Sequence, residues 1–200
     1  MFDEPFRTRF AKLTGPVVPR LARAGITPNQ VTVATFIVAL VAAILIAAGR
    51  PLTGLAVWLV SRLGDGIDGA LARHANRTTA FGGYLDITLD MAAYSAMIVG
   101  FAVAHPSLWL AWIAVLAGYV LVITTTLALS DAGRSAGRAI SRTDRTFQFT
   151  TALTEAGETS VMYALWVVFP AHLPWLVWVW AAALGVTVVQ RTTLAARVLR

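Results

Sequence analysis

The stretch VTVATFIVALVAAILIAAG, residues 31–49, decides the fold, because it runs for nineteen residues without a charged side chain. As an α-helix it would be about 28 Å long, close to the roughly 30 Å of a bilayer's hydrocarbon core. The whole chain of 200 residues has the same character, with 58% hydrophobic and 13% charged residues. Soluble domains carry about 25% charged residues, and disordered chains are more polar still. These figures indicate a small integral membrane protein.

Cysteine and charge exclude further classes. The chain has no cysteine, which excludes a disulfide scaffold, a thiolate zinc site and a cysteine nucleophile. The net charge of +6 comes from basic residues spread along the chain without a nucleic-acid-binding motif, so no nucleic-acid partner is expected. The acidic residues are more informative: of the ten, four fall within residues 65–90, namely Asp65, Asp68, Asp86 and Asp90.

Besides residues 31–49, five further stretches are predicted to cross the membrane. They are residues 51–63 with an extension to 72, then 83–104, 106–130, 149–170 and 173–190. Trp175, Trp178 and Trp180, near the start of the last span, suit a membrane interface. We therefore predict an all-α integral membrane protein of one domain, residues 1–200. It would comprise a juxtamembrane segment, residues 1–30, and a six-helix bundle, residues 31–198.

The basic residues predict the orientation of this bundle. With six spans, fourteen of the sixteen Lys and Arg residues lie on the side that holds both termini. Arg50 lies in an opposite loop and Arg62 lies within a span. Because cytoplasmic loops are enriched in Lys and Arg, both termini are predicted to be cytoplasmic.

The first residues lack the apolar segment of a cleaved signal peptide. Apolar side chains recur there at helical spacing with basic ones between them: Phe2, Phe6, Phe10 and Leu13, with Arg7, Arg9 and Lys12. This pattern predicts an amphipathic helix on the inner membrane surface. A frayed basic tail is the alternative, since Gly15 and Pro16 end the pattern early.

The four aspartates form two pairs on predicted helices. Asp65 and Asp68 are three residues apart and Asp86 and Asp90 are four apart, so each pair lies on one helix face. Residues 73–81 form the cytoplasmic turn between the two spans, which lets the pairs converge. Two carboxylates about 5 Å apart repel by roughly 3 kcal/mol at an effective dielectric constant of 20. Either several of them are protonated or a cation lies among them.

Oxygen ligands without His or Cys select hard ions such as Mg²⁺, Mn²⁺ or Ca²⁺. Two divalent ions would neutralise four carboxylates, and two-metal centres recur in phosphoryl chemistry. A structural alternative is that the aspartates cap helices and pair with Arg62, Arg73 and Arg77. The nearby glycines have two readings, close approach to a ligand or helix packing; they are Gly64, Gly66, Gly69, Gly82 and Gly83.

The residues from Asp65 to Asp90 fit the pattern D-x-x-D-G-x-x-A-R-x8-G-x-x-x-D-x-x-x-D without a mismatch. This pattern resembles the signature of the CDP-alcohol phosphotransferases (CDP-alcohol phosphatidyltransferases). Thr27-Pro28-Asn29-Gln30, just before the first span, is also similar to that family. The resemblance implies an enzyme of phospholipid synthesis. Such an enzyme displaces CMP from CDP-diacylglycerol, or a similar CDP-lipid, with the hydroxyl of a small alcohol.

The resemblance also implies roles for single residues. Divalent metal, Mg²⁺ or Mn²⁺ and two ions, would be held by Asp65, Asp68, Asp86 and Asp90. Asp90 would also be the catalytic base, since a carboxylate without a positive partner can accept a proton. CDP and its diphosphate would be bound by Asn29, Asp68, Gly69, Ala72, Arg73 and Gly82. The implied protein is a homodimer in the cytoplasmic membrane of a bacterium or archaeon, with its site facing the cytoplasm.

The acceptor alcohol is less defined by the sequence. Arg134, Arg138, Arg142 and Arg145 recur at helical spacing, which would suit a phosphorylated acceptor or an ordinary positive-inside loop. Two carboxylates of the fifth span would instead suit hydroxyls or a cationic alcohol, unless they pair with Arg191 or Arg145. We predict acceptor contacts from Glu155, Glu158, Arg142, Arg145 and Arg191. Met91 stands where many members that make phosphatidylglycerol phosphate have a basic residue.

Two other functions would use the same aspartates. A divalent-cation transporter would carry acidic residues near the midplane of several spans, whereas these cluster at one membrane face. A magnesium-dependent prenyltransferase with paired aspartate motifs normally needs a longer chain and more spans. Release of CMP from a CDP-lipid would separate the three functions.

Overall fold

The computed structural model describes residues 15–75, 78–135 and 156–199, and their regular secondary structure is entirely helical. The α-helices are α1 Val17–Arg23, α2 Pro28–Ala47, α3 Pro51–His74, α4 Ala80–Ala104, α5 Trp109–Ser135, α6 Ala156–Val168 and α7 Leu173–Val198. Two short 3-10 turns, Pro106–Leu108 and Pro170–His172, precede α5 and α7. The predicted all-α class is confirmed.

Four of these segments are long and apolar enough to cross a membrane: Pro28–Ala47, Ala80–Ala104, Pro106–Ser135 and Pro170–Val198. They correspond to the first, third, fourth and sixth predicted spans. The second predicted span forms the 24-residue helix α3, which carries several charges. Of the fifth, residues 156–170 are described, and α6 covers thirteen of them. The count of six spans and the side of the termini stay predictions, and the predicted amphipathic helix lies outside the described residues.

The described residues form two compact units, which meet in the sequence between Gly100 and Phe101. In the first unit, α2 and α3 form a tight hairpin. A capping box starts α2: Thr27 Oγ1 accepts the N–H of Gln30, and Gln30 Oε1 accepts the N–H of Thr27. Gly49 ends it with φ +73°, a left-handed conformation that favours glycine. Because Pro51 follows as a first-turn residue of α3, the chain reverses within three residues.

Small residues let these helices approach closely. A Cβ atom at Gly54 would lie 2.9 Å from the carbonyl oxygen of Ala42, and one at Gly64 would collide with the side chain of Thr35. Ser61 Oγ adds a 2.9 Å hydrogen bond to the carbonyl oxygen of Thr35. Helix interfaces built from small residues in this way are typical of packing in lipid. Gly64 therefore serves packing, the second of the two readings of the glycines.

The second unit has an aromatic core. Phe101 packs against Trp112 and Trp166, with ring centroids 5.8 and 5.2 Å apart. Trp180 Nε1 donates a 3.1 Å hydrogen bond to Tyr119 Oη and is 3% exposed. Trp180 is thus a core residue, and its place near a membrane interface stays a prediction. Trp175 and Trp178 are exposed.

Candidate metal and nucleotide site

Three aspartates converge where the C-terminal half of α3 meets the start of α4. Asp65, Asp68 and Asp86 can each present one carboxylate oxygen, with all three oxygens within 4.8 Å of one another. Asp68 is buried, Asp65 is half-buried and Asp86 is exposed. We call these residues the three-aspartate cluster. Its oxygen donors fit a hard divalent ion, because such ions prefer carboxylates.

Asp68 is held rigidly within this cluster. Thr32 on α2 donates a 2.6 Å hydrogen bond from Oγ1 to Asp68 Oδ2, and the N–H of Gly69 donates one of 2.6 Å to Oδ1. Thr32 is 6% exposed and Asp68 is 5% exposed. Hydrogen bonds to a charged group contribute about 1.5–3 kcal/mol each. Sequence reasoning missed Thr32, although it stands one turn after Asn29 in an otherwise apolar span.

Asp90 lies apart from the cluster and has a cationic partner. Its Oδ1 accepts a hydrogen bond from Arg62 Nη1, which also lies 3.7 Å from Asp65 Oδ2. The expectation that Asp90 has no positive partner is therefore wrong. The reason is the antiparallel register of α3 and α4, which sets Arg62 opposite Asp90 and Trp58 opposite Tyr94 one turn further on. The structural alternative holds in part, since Arg62 does pair with two of the four aspartates.

Aromatic rings confine Arg62. Its guanidinium carbon lies 4.5 Å from the ring centroid of Trp58 and 5.4 Å from that of Tyr94, within range of cation–π attraction. Nη2 also donates a 3.2 Å hydrogen bond to Ser61 Oγ. The Arg62 side chain is only 12% exposed. The sequence analysis gave Arg62 a role only in the structural alternative, as one of three possible partners of the aspartates. Its spacing of three residues from Asp65 was the signal for this pairing.

A cavity of about 220 Å³ adjoins the three-aspartate cluster. All six residues predicted to bind CDP line it: Asn29, Asp68, Gly69, Ala72, Arg73 and Gly82. Asp86, Thr32 and Thr79 are also part of its wall. The structure thus brings the predicted nucleotide residues and two of the predicted metal ligands into one place.

Gly82 keeps this cavity open. A Cβ atom there would lie 3.2 Å from Asn29 Oδ1 and 3.1 Å from Thr79 Oγ1, closer than ordinary van der Waals contact. The N–H of Gly82 donates a 2.9 Å hydrogen bond to Thr79 Oγ1, which caps the start of α4. A side chain at this position would therefore push on the cavity wall, which explains a glycine here in physical terms.

An apolar groove of about 500 Å³ shares Asn29 with the cavity. Its wall is formed by Gln30 and by five apolar residues: Val33, Ala34, Ile37, Phe81 and Leu85. The first unit therefore presents a polar, carboxylate-lined cavity and an apolar groove side by side. A ligand with a charged head and an apolar tail matches this pair of surfaces.

The predicted acceptor residues belong to the second unit. Glu158 is an exposed residue in the first turn of α6. Arg191 on α7 donates a 2.8 Å hydrogen bond to the carbonyl oxygen of Val122 and another to Thr126 Oγ1. Glu155, Arg142 and Arg145 lie outside the described residues. The role of these residues toward an acceptor stays a prediction.

Comparison with known families decides what this site belongs to. The family model of CDP-alcohol phosphatidyltransferases matches residues 25–189. The chain belongs to this family. The resemblance predicted from the Asp65–Asp90 motif is confirmed, and the protein is a transferase of the CDP-alcohol phosphatidyltransferase class.

Curated relatives of this phosphatidyltransferase include a bacterial membrane protein and a synthase. Inner membrane protein YnjF of Escherichia coli is 34% identical over 177 residues, which cover 86% of this chain and 84% of that protein. Phosphatidylinositol phosphate synthase of Mycobacteroides abscessus is 33% identical over 194 residues, covering 92% of this chain and 84% of the synthase.

Solved structures are similar along most of the chain. The crystal structure of Mycobacterium tuberculosis phosphatidylinositol phosphate synthase with CDP-DAG bound has a TM-score of 0.65 and 25% identity, and the match covers 92% of this chain and 94% of that one. The same synthase in complex with manganese and citrate has a TM-score of 0.66 and 26% identity, and the match covers 91% of this chain and 88% of that one.

Proposed function

We propose that this protein transfers a phosphatidyl group from CDP-diacylglycerol, or a similar CDP-lipid, to the hydroxyl of a small polar alcohol and releases CMP. The observation that carries this proposal is the shared wall: Asp68 and Asp86 belong both to the three-aspartate cluster and to the cavity. A diphosphate in that cavity would lie beside the metal ligands. The apolar groove next to Asn29 would take part of the lipid.

Asp65, Asp68 and Asp86 would hold divalent metal, Mg²⁺ or Mn²⁺. When bound, the metal supplies positive charge that neutralises the diphosphate and stabilises the departing CMP. The manganese complex of a similar structure supports binding of a divalent metal, and the oxygens of the three-aspartate cluster support its place. The sequence predicts two ions. A second ion would need Asp90 as a ligand, and Arg62 already binds Oδ1 of that carboxylate.

Asp90 would act as the general base through Oδ2, since Arg62 binds Oδ1. The acceptor oxygen forms a bond to the phosphorus of the phosphatidyl group as its proton passes to a carboxylate oxygen of Asp90. The bond from that phosphorus to the oxygen of CMP breaks, and CMP leaves. A positioned base of this kind contributes roughly 10²–10⁴-fold to the rate.

The acceptor and the cellular setting complete the proposal. We infer a small polar alcohol, with Glu158 and Arg191 among its contacts, and relatives named phosphatidylinositol phosphate synthase make an inositol phosphate a first candidate. We also propose a multi-pass homodimer with both termini and the site on the cytoplasmic side. The basic residues that flank the predicted spans support this orientation.

The test is a CMP-release assay. Purified protein is incubated with CDP-diacylglycerol, Mg²⁺ and a panel of alcohols that includes inositol phosphate, inositol, glycerol phosphate and serine. We expect CMP release that depends on both one acceptor and the metal. In parallel, proteoliposomes report Mg²⁺ flux and a prenyl diphosphate reports pyrophosphate release. If no acceptor gives CMP release and one of those two activities is observed, that activity replaces the proposed function.

A further inference from the structure

Arg62 is the one charged side chain within the site that stands outside the Asp65–Asp90 motif among the residues that the structure describes. It precedes Asp65 by one helical turn and bridges Asp65 on its own helix to Asp90 on α4. Trp58 is fully buried and Tyr94 is 6% exposed, so the two rings that flank the guanidinium belong to the core. The guanidinium is thus confined by the rings and by the carboxylates.

This arrangement is poorly suited to stability alone. Arg62 Nε is buried and finds no hydrogen-bond acceptor among the described residues. A buried polar atom without a partner destabilises the fold, and apolar side chains of similar size often replace buried ion pairs without loss of stability. A helix interface between α3 and α4 could therefore be built more stably without a charge at this position.

We propose that Arg62 is a positioning residue for Asp90. It binds Oδ1 of Asp90, offsets the repulsion between that carboxylate and Asp65, and leaves its second oxygen to receive the proton of the acceptor hydroxyl. Without Arg62, repulsion from the cluster and free rotation of the side chain would leave Asp90 misplaced, and misplacement by about 1 Å can cost as much as 10²-fold in rate. This inference rests on the proposed function of Asp90.

The planar guanidinium is central to this role. Its Nη1 contacts both carboxylates and its Nη2 donates to Ser61 Oγ, while the guanidinium carbon lies within cation–π range of both rings. The single ammonium group of a lysine would restore the charge but not all of these contacts. Arg62→Met keeps much of the side-chain volume and removes the charge. Arg62→Lys keeps the charge and removes the planar fork of N–H donors. We expect Met to lower kcat by roughly 10–10²-fold and Lys to give a smaller loss, both with KM for CDP-diacylglycerol nearly unchanged.

The experiment compares wild type, Arg62→Met, Arg62→Lys, Asp90→Asn and the double variant Arg62→Met/Asp90→Asn. Arg50→Met is the matched control, because Arg50 is exposed at the other end of α3. Three quantities are measured: kcat and KM from CMP release, Mn²⁺ affinity by electron paramagnetic resonance, and Tm in detergent. We expect Mn²⁺ affinity to be retained in the Arg62 variants, and the double variant to be no slower than Asp90→Asn alone.

Several results would overturn the inference. They are wild-type kcat in Arg62→Met, losses that multiply in the double variant, or a fall in Mn²⁺ affinity that matches the fall in activity. The last result would make Arg62 a support of the metal cluster through Asp65. If Arg62→Met does not fold, Arg62→Lys decides, since unchanged kcat there excludes a need for the planar fork. If the wild type releases no CMP, the proposed function fails separately, and additive Tm changes in the cycle would then reject the pairing itself.

Discussion

Thr32 Oγ1 donates a 2.6 Å hydrogen bond to Oδ2 of Asp68, and this bond ties α2 to α3 beside the cavity that both residues line. Both side chains are buried, so the bond is largely shielded from bulk water. The second oxygen of Asp68 accepts the N–H of Gly69. The orientation of a predicted metal ligand is therefore set by a residue from another helix.

Thr32→Val tests this orientation. Valine has the shape of threonine without the hydroxyl, so Asp68 loses one buried partner and its carboxylate can rotate. Because partners of metal ligands typically contribute 10–100-fold to metal affinity, we expect the Mg²⁺ concentration for half-maximal CMP release to rise by roughly 10-fold. Thr32→Ser, which retains the hydroxyl, should stay near wild type. Equal Mg²⁺ dependence in the valine and serine variants would contradict the role of Thr32.

Much of the fold could be predicted from hydropathy alone. The uncharged stretch 31–49 corresponds to α2, which starts three residues earlier because Thr27 and Gln30 form a capping box. Which face of a helix is buried could not be predicted in the same way. In lipid both faces of a helix are apolar, so hydropathy does not separate the core from the surface. The three tryptophans at the start of the last span show this, since Trp180 is buried whereas Trp175 and Trp178 are exposed.

The candidate site, too, could be predicted from the sequence only in part. Spacing within each helix paired Asp65 with Asp68 and Asp86 with Asp90, and a short turn predicted that the two pairs would converge. Asp86 does join the first pair, whereas Asp90 is not part of the cluster. The pairing of Arg62 with Asp90 depends on how α3 is aligned against α4, which is decided by packing of side chains such as Trp58 and Tyr94. Spacing within a single helix carries no information on that alignment.

Removal of a carboxylate from the three-aspartate cluster should abolish transfer. Asp65→Asn, Asp68→Asn and Asp86→Asn each replace a charged ligand by a neutral amide that binds Mg²⁺ weakly. We expect CMP release near background at standard Mg²⁺, together with weaker Mn²⁺ binding. Asp131→Asn is the control, because Asp131 is 78% exposed and its ion pair with Arg134 lies in the second unit. Near-normal activity in any two of the three variants would refute the metal assignment.

Gly82→Ala should narrow the cavity without weakening the fold. Alanine in a helix is favoured over glycine by about 1 kcal/mol, so Tm should not fall. The added methyl would press on Asn29 Oδ1 and Thr79 Oγ1. We therefore expect a higher KM for the CDP-lipid with little change in acceptor KM, measured by CMP release at varied concentrations of each substrate.

Gly185→Ala is the matched control for this substitution. Gly185 lies within α7, and a Cβ atom there would have no atom within 4 Å. It should share any gain in Tm and leave both KM values unchanged. An unchanged KM for the CDP-lipid in Gly82→Ala would show that this part of the cavity does not contact the nucleotide.

Asp90→Asn separates the base from the metal ligands. The amide keeps the shape of the side chain and an oxygen that can still accept a hydrogen bond from Arg62 Nη1, so the contact between α3 and α4 should persist. It cannot take up the proton of the acceptor. We expect kcat to fall by roughly 10²–10⁴-fold while the affinity for the CDP-lipid, measured by direct binding, stays nearly intact. Raising the pH should not restore turnover, because the base itself is gone.

If affinity for the CDP-lipid instead falls in step with activity, Asp90 is chiefly a metal ligand, and Glu155 and Glu158 become the next candidates for the base.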